Sequence, residues 1–244
     1  MTVAWVTAAW VMHVPSVDVY LTRTPEEEAA RQLSAAIVDA DREHGSARVA
    51  IAGGSAVRAF RAAREALPVE VWARAKLTWV DERCVPFAST DSNRGEAHRA
   101  GALDDATPPA LELPLVLDGE TAAQSLARID AVLRDAFDGR LDVTLLGMGP
   151  DGHIASLFPR DEPFVDAPRG VLAVHVADSP KPPAERLTLT RALLATATRH
   201  VLLVAGESKR DALERLILED PSLPAVGLDG LVIVTDVDLG GAST

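Results

Sequence analysis

Short, continuous apolar runs recur along this chain, and each is followed by a stretch with helical spacing. Arg48–Ala52, Lys76–Val80, Leu141–Leu146, His200–Ala205 and Leu231–Thr235 are such runs. Each run reads as a strand. Val17–Leu21 reads as a first strand and Gly170–Val176 as a further one. Leu115–Leu117 reads as a small strand or an extended linker. Between the strands, Thr24-Pro25-Glu26-Glu27 opens a helix that runs to about Arg42, with Thr24 as cap and Glu27 placed for a capping box. Further helices are expected over Val57–Leu67, Arg94–Leu103, Thr121–Phe137 and Ser208–Glu219, with a short one at Leu193–Thr198. In the Thr121–Phe137 segment Leu126, Ile129, Leu133 and Phe137 share one face. Pro180–Pro183 is a rigid connector, and Pro108, Pro109 and Pro114 mark a long loop that is a candidate lid. The alternation predicts an α/β fold: a single domain over residues 17–240, with a mainly parallel, Rossmann-like sheet and helices on both faces. Residues 1–16 are read as an N-terminal extension.

The chain has 244 residues, of which 48% are hydrophobic, enough for a sizeable core. Its formal charge of −12 argues against nucleic acid and anionic membranes as partners. A small anionic substrate remains open, because it feels a few local cations rather than the net charge. Val3–Val19 is apolar but lacks a basic leading region and is interrupted by His13, Pro15 and Asp18, so neither a membrane span nor an export signal is expected. Cys84 is the single cysteine, which rules out an internal disulfide. A cytoplasmic monomer or weak homodimer is expected. No Cys/His cluster has zinc spacing, so no metal is expected, and no Gly-x-Ser-x-Gly elbow supports a serine hydrolase. Cys84 reads as a small packing residue, and His13, His44, His98, His175 and His200 as structural or exposed.

Four strand ends concentrate unusual residues. Gly147-Met148-Gly149-Pro150-Asp151-Gly152-His153 follows a buried strand and places an imidazole and a carboxylate in a tight loop. No packing requirement explains a histidine there, and strand ends are where open α/β sheets do chemistry. Gly53-Gly54-Ser55 precedes a helix, so its amides suit a phosphate, although two glycines at such a turn are also common. Asp81-Glu82-Arg83 ends another strand; Arg83 either forks onto an anion or joins a surface salt bridge. Gly206-Glu207-Ser208-Lys209 puts a lysine in a first helical turn, against the helix dipole. That lysine either faces an anion or is simply solvated, and Arg186 is a further candidate cation.

At these residues the chain resembles the 6-phosphogluconolactonase family, from about Val17 to Val237. The segment Gly147–Pro159 carries the likeness most specifically. Trp79–Pro86, Ser92-Asn93, Glu185–Thr190 and Gly206–Lys209 follow in matching order. The resemblance implies hydrolysis of 6-phospho-D-glucono-1,5-lactone without a cofactor. It implies His153 as the base that takes a proton from the attacking water and returns it to the departing ring oxygen. Asp151 orients the imidazole, and Arg83 with loop amides stabilises the oxyanion. Gly53, Gly54, Ser55, Asp81, Asn93, Gly149, Arg186 and Lys209 then surround the substrate, with its phosphate on the Gly54 and Ser55 amides near Lys209 and Arg186. Two departures stand out: Ala56-Val57 follows Ser55 where the family usually continues Thr-Pro, and Arg94 stands where it often has Tyr. Arg58 is a candidate to compensate for the first. The alternatives are a glucosamine-6-phosphate deaminase or isomerase and a non-catalytic sugar-phosphate sensor. The deaminase family follows its histidine with Phe-Asn-Glu-Pro, whereas Ile154-Ala155-Ser156-Leu157-Phe158-Pro159 follows His153. The sensors carry a DNA-binding module, and no such segment precedes Thr24.

Overall fold

The computed structural model describes residues 10–14, 17–104, 106–159 and 168–239. In chain order the elements are β1 (Trp10–Val14), β2 (Val17–Leu21), α1 (Pro25–His44), β3 (Arg48–Ile51), α2 (Ala56–Ala66), α3 (Val69–Trp72) and β4 (Lys76–Trp79). Next come β5 (Asp81–Arg83), α4 (Asn93–Arg99), β6 (Leu111–Leu113), α5 (Ala122–Ala136) and β7 (Val143–Gly147). Then follow β8 (Ala173–Val176), β9 (Arg186–Leu189), α6 (Arg191–Leu194), β10 (Arg199–Val204), a 3-10 turn at Glu207–Lys209, α7 (Arg210–Ile217) and β11 (Leu231–Thr235).

The main sheet has eight strands in the order β1-β2-β11-β10-β7-β3-β4-β6. Every pairing in it is parallel except β1 with β2. Strands β3, β10 and β11 carry the apolar runs, and Val49, Ile51, Val201, Leu203 and Ile233 are buried. Helices flank the sheet: α1 packs on α2 and lies against β7 and β10, with Leu33 and Ile37 fully buried. Burying one such side chain stabilises the fold by about 1.5–3 kcal/mol. The mixed α/β architecture with a mainly parallel sheet is as the alternation predicts.

Several local readings change. A second, antiparallel sheet of order β5-β9-β8 forms beside the first. The predicted strand at Gly170–Val176 joins this small sheet as β8. Leu115–Leu117 is the linker of the two alternatives, and the strand at this edge of the main sheet is β6 before it: it pairs Thr78 with Leu113, and Pro114 has no N–H with which to continue the ladder. Residues 10–14 of the predicted extension form β1, in register Trp10 with Leu21. Thr24 makes no side-chain cap, so the capping box with Glu27 does not form; its N–H instead donates to Thr22 Oγ1 at 3.2 Å. Pro25 does open α1, and Glu26, Glu27 and Glu28 meet the dipole of its first turn. The proline-rich loop is tied down at its start. Trp72 Nε1 donates to Thr107 O at 2.8 Å and Arg64 pairs with Asp104, which pins that loop to α2 and α3.

Candidate active site

The chain reverses its direction across the sheet between β3 and β7. From β3 it proceeds to β4 and β6, then crosses back to β7 and proceeds to β10 and β11. Loops leaving adjacent strands at such a point diverge and open a crevice at the carboxyl ends. The four loops singled out above leave β3, β4, β7 and β10, which are neighbours in the sheet. A cavity of about 280 Å³ lies there. Of the predicted site residues, Gly53, Gly54, Ser55, Asp81, Arg83, Asn93, Gly149, His153, Arg186 and Lys209 line it. Asp151 stands behind His153.

The β7 loop is built so that an imidazole lies over bare backbone. A Cβ at Gly149 would fall 2.1 Å from His153 Nδ1 and 2.5 Å from Asp151 Oδ1, so only glycine admits this packing. Gly149 N–H donates to His153 O at 2.8 Å and closes the turn. The His153 ring rests on Phe158 with centroids 4.6 Å apart, and its Nδ1 contacts Asp151 Oδ1 at 2.6 Å. Nδ1 therefore carries the proton donated to the carboxylate, and Nε2 is left as the basic atom. Burial lowers the His153 pKa, and the hydrogen bond and charge of Asp151 pull against it; the net shift is below the ordinary imidazole value. Burial likewise pushes the Asp151 carboxyl up, but His153 and Lys181 outweigh this and hold it below its usual range. At neutral pH the pair is a neutral imidazole beside a carboxylate, ready to accept a proton.

Lys181 escaped the sequence reading, which treated Pro180–Pro183 only as a connector. Its Nζ lies 3.1 Å from Asp151 Oδ1 and 3.4 Å from His153 Nδ1. Arg186 explains how that connector is held. Its Nε donates to Pro183 O at 2.9 Å and its Nη2 to Lys181 O at 3.0 Å. Its Nη1 reaches Ser156 Oγ at 3.3 Å and Asp81 Oδ2 at 3.7 Å. The guanidinium is thus committed to structure on every side, although it borders the cavity.

Asp81 and Asn93 form the floor. Ser156 Oγ donates to Asp81 Oδ2 at 2.6 Å, and Asn93 Nδ2 donates to Asp81 O at 2.9 Å. Glu82 holds Asn93 in place: its carboxylate accepts from the amides of Asn93 at 2.7 Å and Arg94 at 2.8 Å, capping α4 together with Ser92. Burial raises the Glu82 pKa, against those amide bonds. Asn93 Oδ1 is buried without a hydrogen-bond partner, and a Cβ at Gly53 would fall 2.0 Å from it. Gly53 is therefore glycine because Asn93 packs on it.

Two cations at the rim, Lys209 and Arg83, have no ion-pair partner among the described residues. Lys209 Nζ has no ion pair or hydrogen bond among the described residues. Burial and the charge of Lys181 lower its pKa, with Asp151 opposing. Arg83 donates through Nη1 to Asp91 O at 2.8 Å, while its buried Nε has no partner. On the β3 loop the Gly54 amide is already engaged, donating to Glu96 Oε2 at 2.9 Å. Ala56 and Val57 are buried at the start of α2, and the Val57 N–H donates to Gly54 O at 3.0 Å, a bond a proline there would forbid. Arg58 pairs with Glu26 and does not border the cavity, so it does not compensate at this loop.

The class this layout defines is that of α/β enzymes that act on small anions by acid–base chemistry. Comparison with known proteins narrows it. The family described as glucosamine-6-phosphate isomerases/6-phosphogluconolactonase matches residues 23–232. A 6-phosphogluconolactonase of Mesorhizobium japonicum is 37% identical over 187 residues, covering 75% of this chain and 76% of that protein. One of Streptomyces coelicolor is 36% identical over 225 residues, covering 84% of each. The crystal structure of 6-phosphogluconolactonase from Thermotoga maritima shares the fold, with a TM-score of 0.75 at 24% identity over 90% of this chain and 98% of that one. The chain belongs to the glucosamine-6-phosphate isomerase/6-phosphogluconolactonase family.

Proposed function

We propose that this chain hydrolyses 6-phospho-D-glucono-1,5-lactone to 6-phospho-D-gluconate, in the oxidative branch of the pentose phosphate pathway. The observation that carries the reading is one cavity bordered by both the His153 imidazole and the Gly53–Ser55 turn with Lys209. The phosphate docks at the Ser55 amide, at the Gly54 amide once it displaces Glu96, and at Lys209, far from the reacting carbon, and its binding energy positions the ring. Water attacks the lactone carbonyl as His153 Nε2 takes its proton. Asp151 keeps the proton on Nδ1 and stabilises the imidazolium. Arg83 and loop amides face the charge that develops on the carbonyl oxygen. The tetrahedral intermediate then expels the ring oxygen, which receives the proton from Nε2. Asp81, Asn93 and Gly149 shape the floor, and Arg186 fixes the connector that carries Lys181.

The residue context disfavours the deaminase reading, since Ile154-Ala155-Ser156 follow His153 in place of that family's Phe-Asn-Glu. The working unit in this proposal spans residues 17–240 and acts in the cytoplasm as a monomer or weak homodimer. Among the described residues no helix is long and apolar enough to cross a membrane. The test generates the lactone in situ with glucose-6-phosphate dehydrogenase and follows its decay. His153→Ala is expected to lower kcat by at least about 10² with the fold intact. A folded His153→Ala protein with near wild-type turnover overturns the assignment.

A further inference from the structure

The small sheet has two faces, and the active site uses only one. Side chains alternate along a strand, and cross-strand partners share a face. Asp81 pairs with Thr188 and Arg83 with Arg186, so these four point to the catalytic side. Glu82 and Leu187 pair on the opposite face. Continuing that register by one residue sets Cys84 against Glu185, and the Cys84 N–H donates to Glu185 O at 2.9 Å. On the other side of β9, His175 pairs with Leu187, which stands two residues from Glu185 on the same face. Each of the three strand lines thus delivers one potential ligand to a single surface.

The ligand atoms of Cys84, His175 and Glu185 all lie within 4.8 Å of one another, with His175 Nε2 3.0 Å from Glu185 Oε1. Cys84 and Glu185 also border a second cavity, of about 550 Å³, whose lining includes Asp118 and Glu120. It lies on the side of the small sheet away from His153. One sulfur, one imidazole nitrogen and one carboxylate oxygen form a mixed donor set of borderline softness, which suits Zn²⁺ better than Mg²⁺ or Ca²⁺.

We propose that Cys84, His175 and Glu185 form a zinc-binding site, with its fourth position open to this cavity. Ligands on adjacent strands are preorganised, so little ordering is required when the ion arrives. Burial and the nearby Glu185 and Glu82 carboxylates push the Cys84 thiol up to about 11. The same negative surroundings favour a dication that displaces the thiol proton. Binding forms the Zn–S bond and breaks the S–H bond, with the proton released to solvent. The set has no zinc spacing in the sequence because its members come from three separate segments.

The experiment uses the full chain, reduced and stripped of metal, and titrates it with Zn²⁺ by calorimetry and with Co²⁺ by absorbance. One ion per chain is expected, with a thiolate-to-cobalt charge-transfer band and proton release. Cys84→Ser should abolish the band, and His175→Ala should weaken zinc binding at least about a hundredfold. Both variants should keep lactone-hydrolysing activity, which shows that they fold. A folded wild-type protein without the thiolate band overturns the proposal. So does zinc binding that survives Cys84→Ser and disappears in His153→Ala, which would put the ion in the catalytic cavity.

Discussion

With Nδ1 committed to Asp151, the His153 ring has a single basic position, and its protonation sets the acid limb of the pH–rate profile. The His153 pKa lies below its ordinary value of 6.5. Protonation removes the base, so the acid-side fall of kcat/KM is expected at a pH below that of an ordinary imidazole. Asp151 raises the His153 pKa, so Asp151→Asn should move the acid limb to still lower pH while reducing kcat; a shift to higher pH would contradict the pairing. Two rim residues should act with opposite signs on binding. Lys209→Ala removes an uncompensated cation and should raise KM with little change in kcat. Glu96 holds the Gly54 amide that the phosphate needs. Glu96→Ala frees that donor and removes a negative charge, so KM should fall by about threefold to tenfold, a gain of about 1 kcal/mol. Steady-state kinetics on the two variants checks both directions.

At the scale of elements, the connector before β9 is positioned by one side chain. Arg186 reads from sequence as a phosphate cation, but its guanidinium donates to the carbonyls of Lys181 and Pro183 and reaches Asp81. Arg186→Lys keeps the charge and loses the fork. It leaves the carbonyls of Lys181 and Pro183 short of donors, so it should lower unfolding stability by roughly 1–3 kcal/mol and reduce kcat as Lys181 loosens. Urea unfolding with parallel kinetics decides this: a raised KM at unchanged stability would return Arg186 to the phosphate. Legibility in the sequence follows locality. Gly149, Asp151 and His153 lie within one turn, and the strand ends that carry Gly53, Arg83 and Lys209 follow apolar runs, so both were readable. Lys181 and Glu96 were not, because each reaches its partner across a long stretch of chain from an otherwise ordinary polar position. The small sheet was hidden for a similar reason. Strand β5 is three residues long and is separated from β4 by Val80 alone, so the two read as a single strand and its charged end.

Across the whole molecule, His200 couples stability to acidity. It is fully buried in β10, with Nδ1 2.7 Å from Thr144 Oγ1 and Nε2 without a partner. Burial pushes its pKa from 6.5 down to about 4. The folded state therefore favours the neutral ring. Its contribution is fully present above pH 6.5 and is lost as pH falls towards about 4, amounting to roughly 3 kcal/mol. Urea unfolding across that window should show the loss, and a His200→Leu/Thr144→Val double variant should flatten it.

Val80 joins the two sheets through a single residue. Its N–H donates to Ile51 O at 2.9 Å in the main sheet, and its carbonyl accepts from Leu189 N–H at 2.8 Å in the small one. The crevice is lined from both layers, by Gly53 and Met148 beside the main sheet and by Asp81, Arg83 and Arg186 of the small one, so this single residue sets one wall against the other.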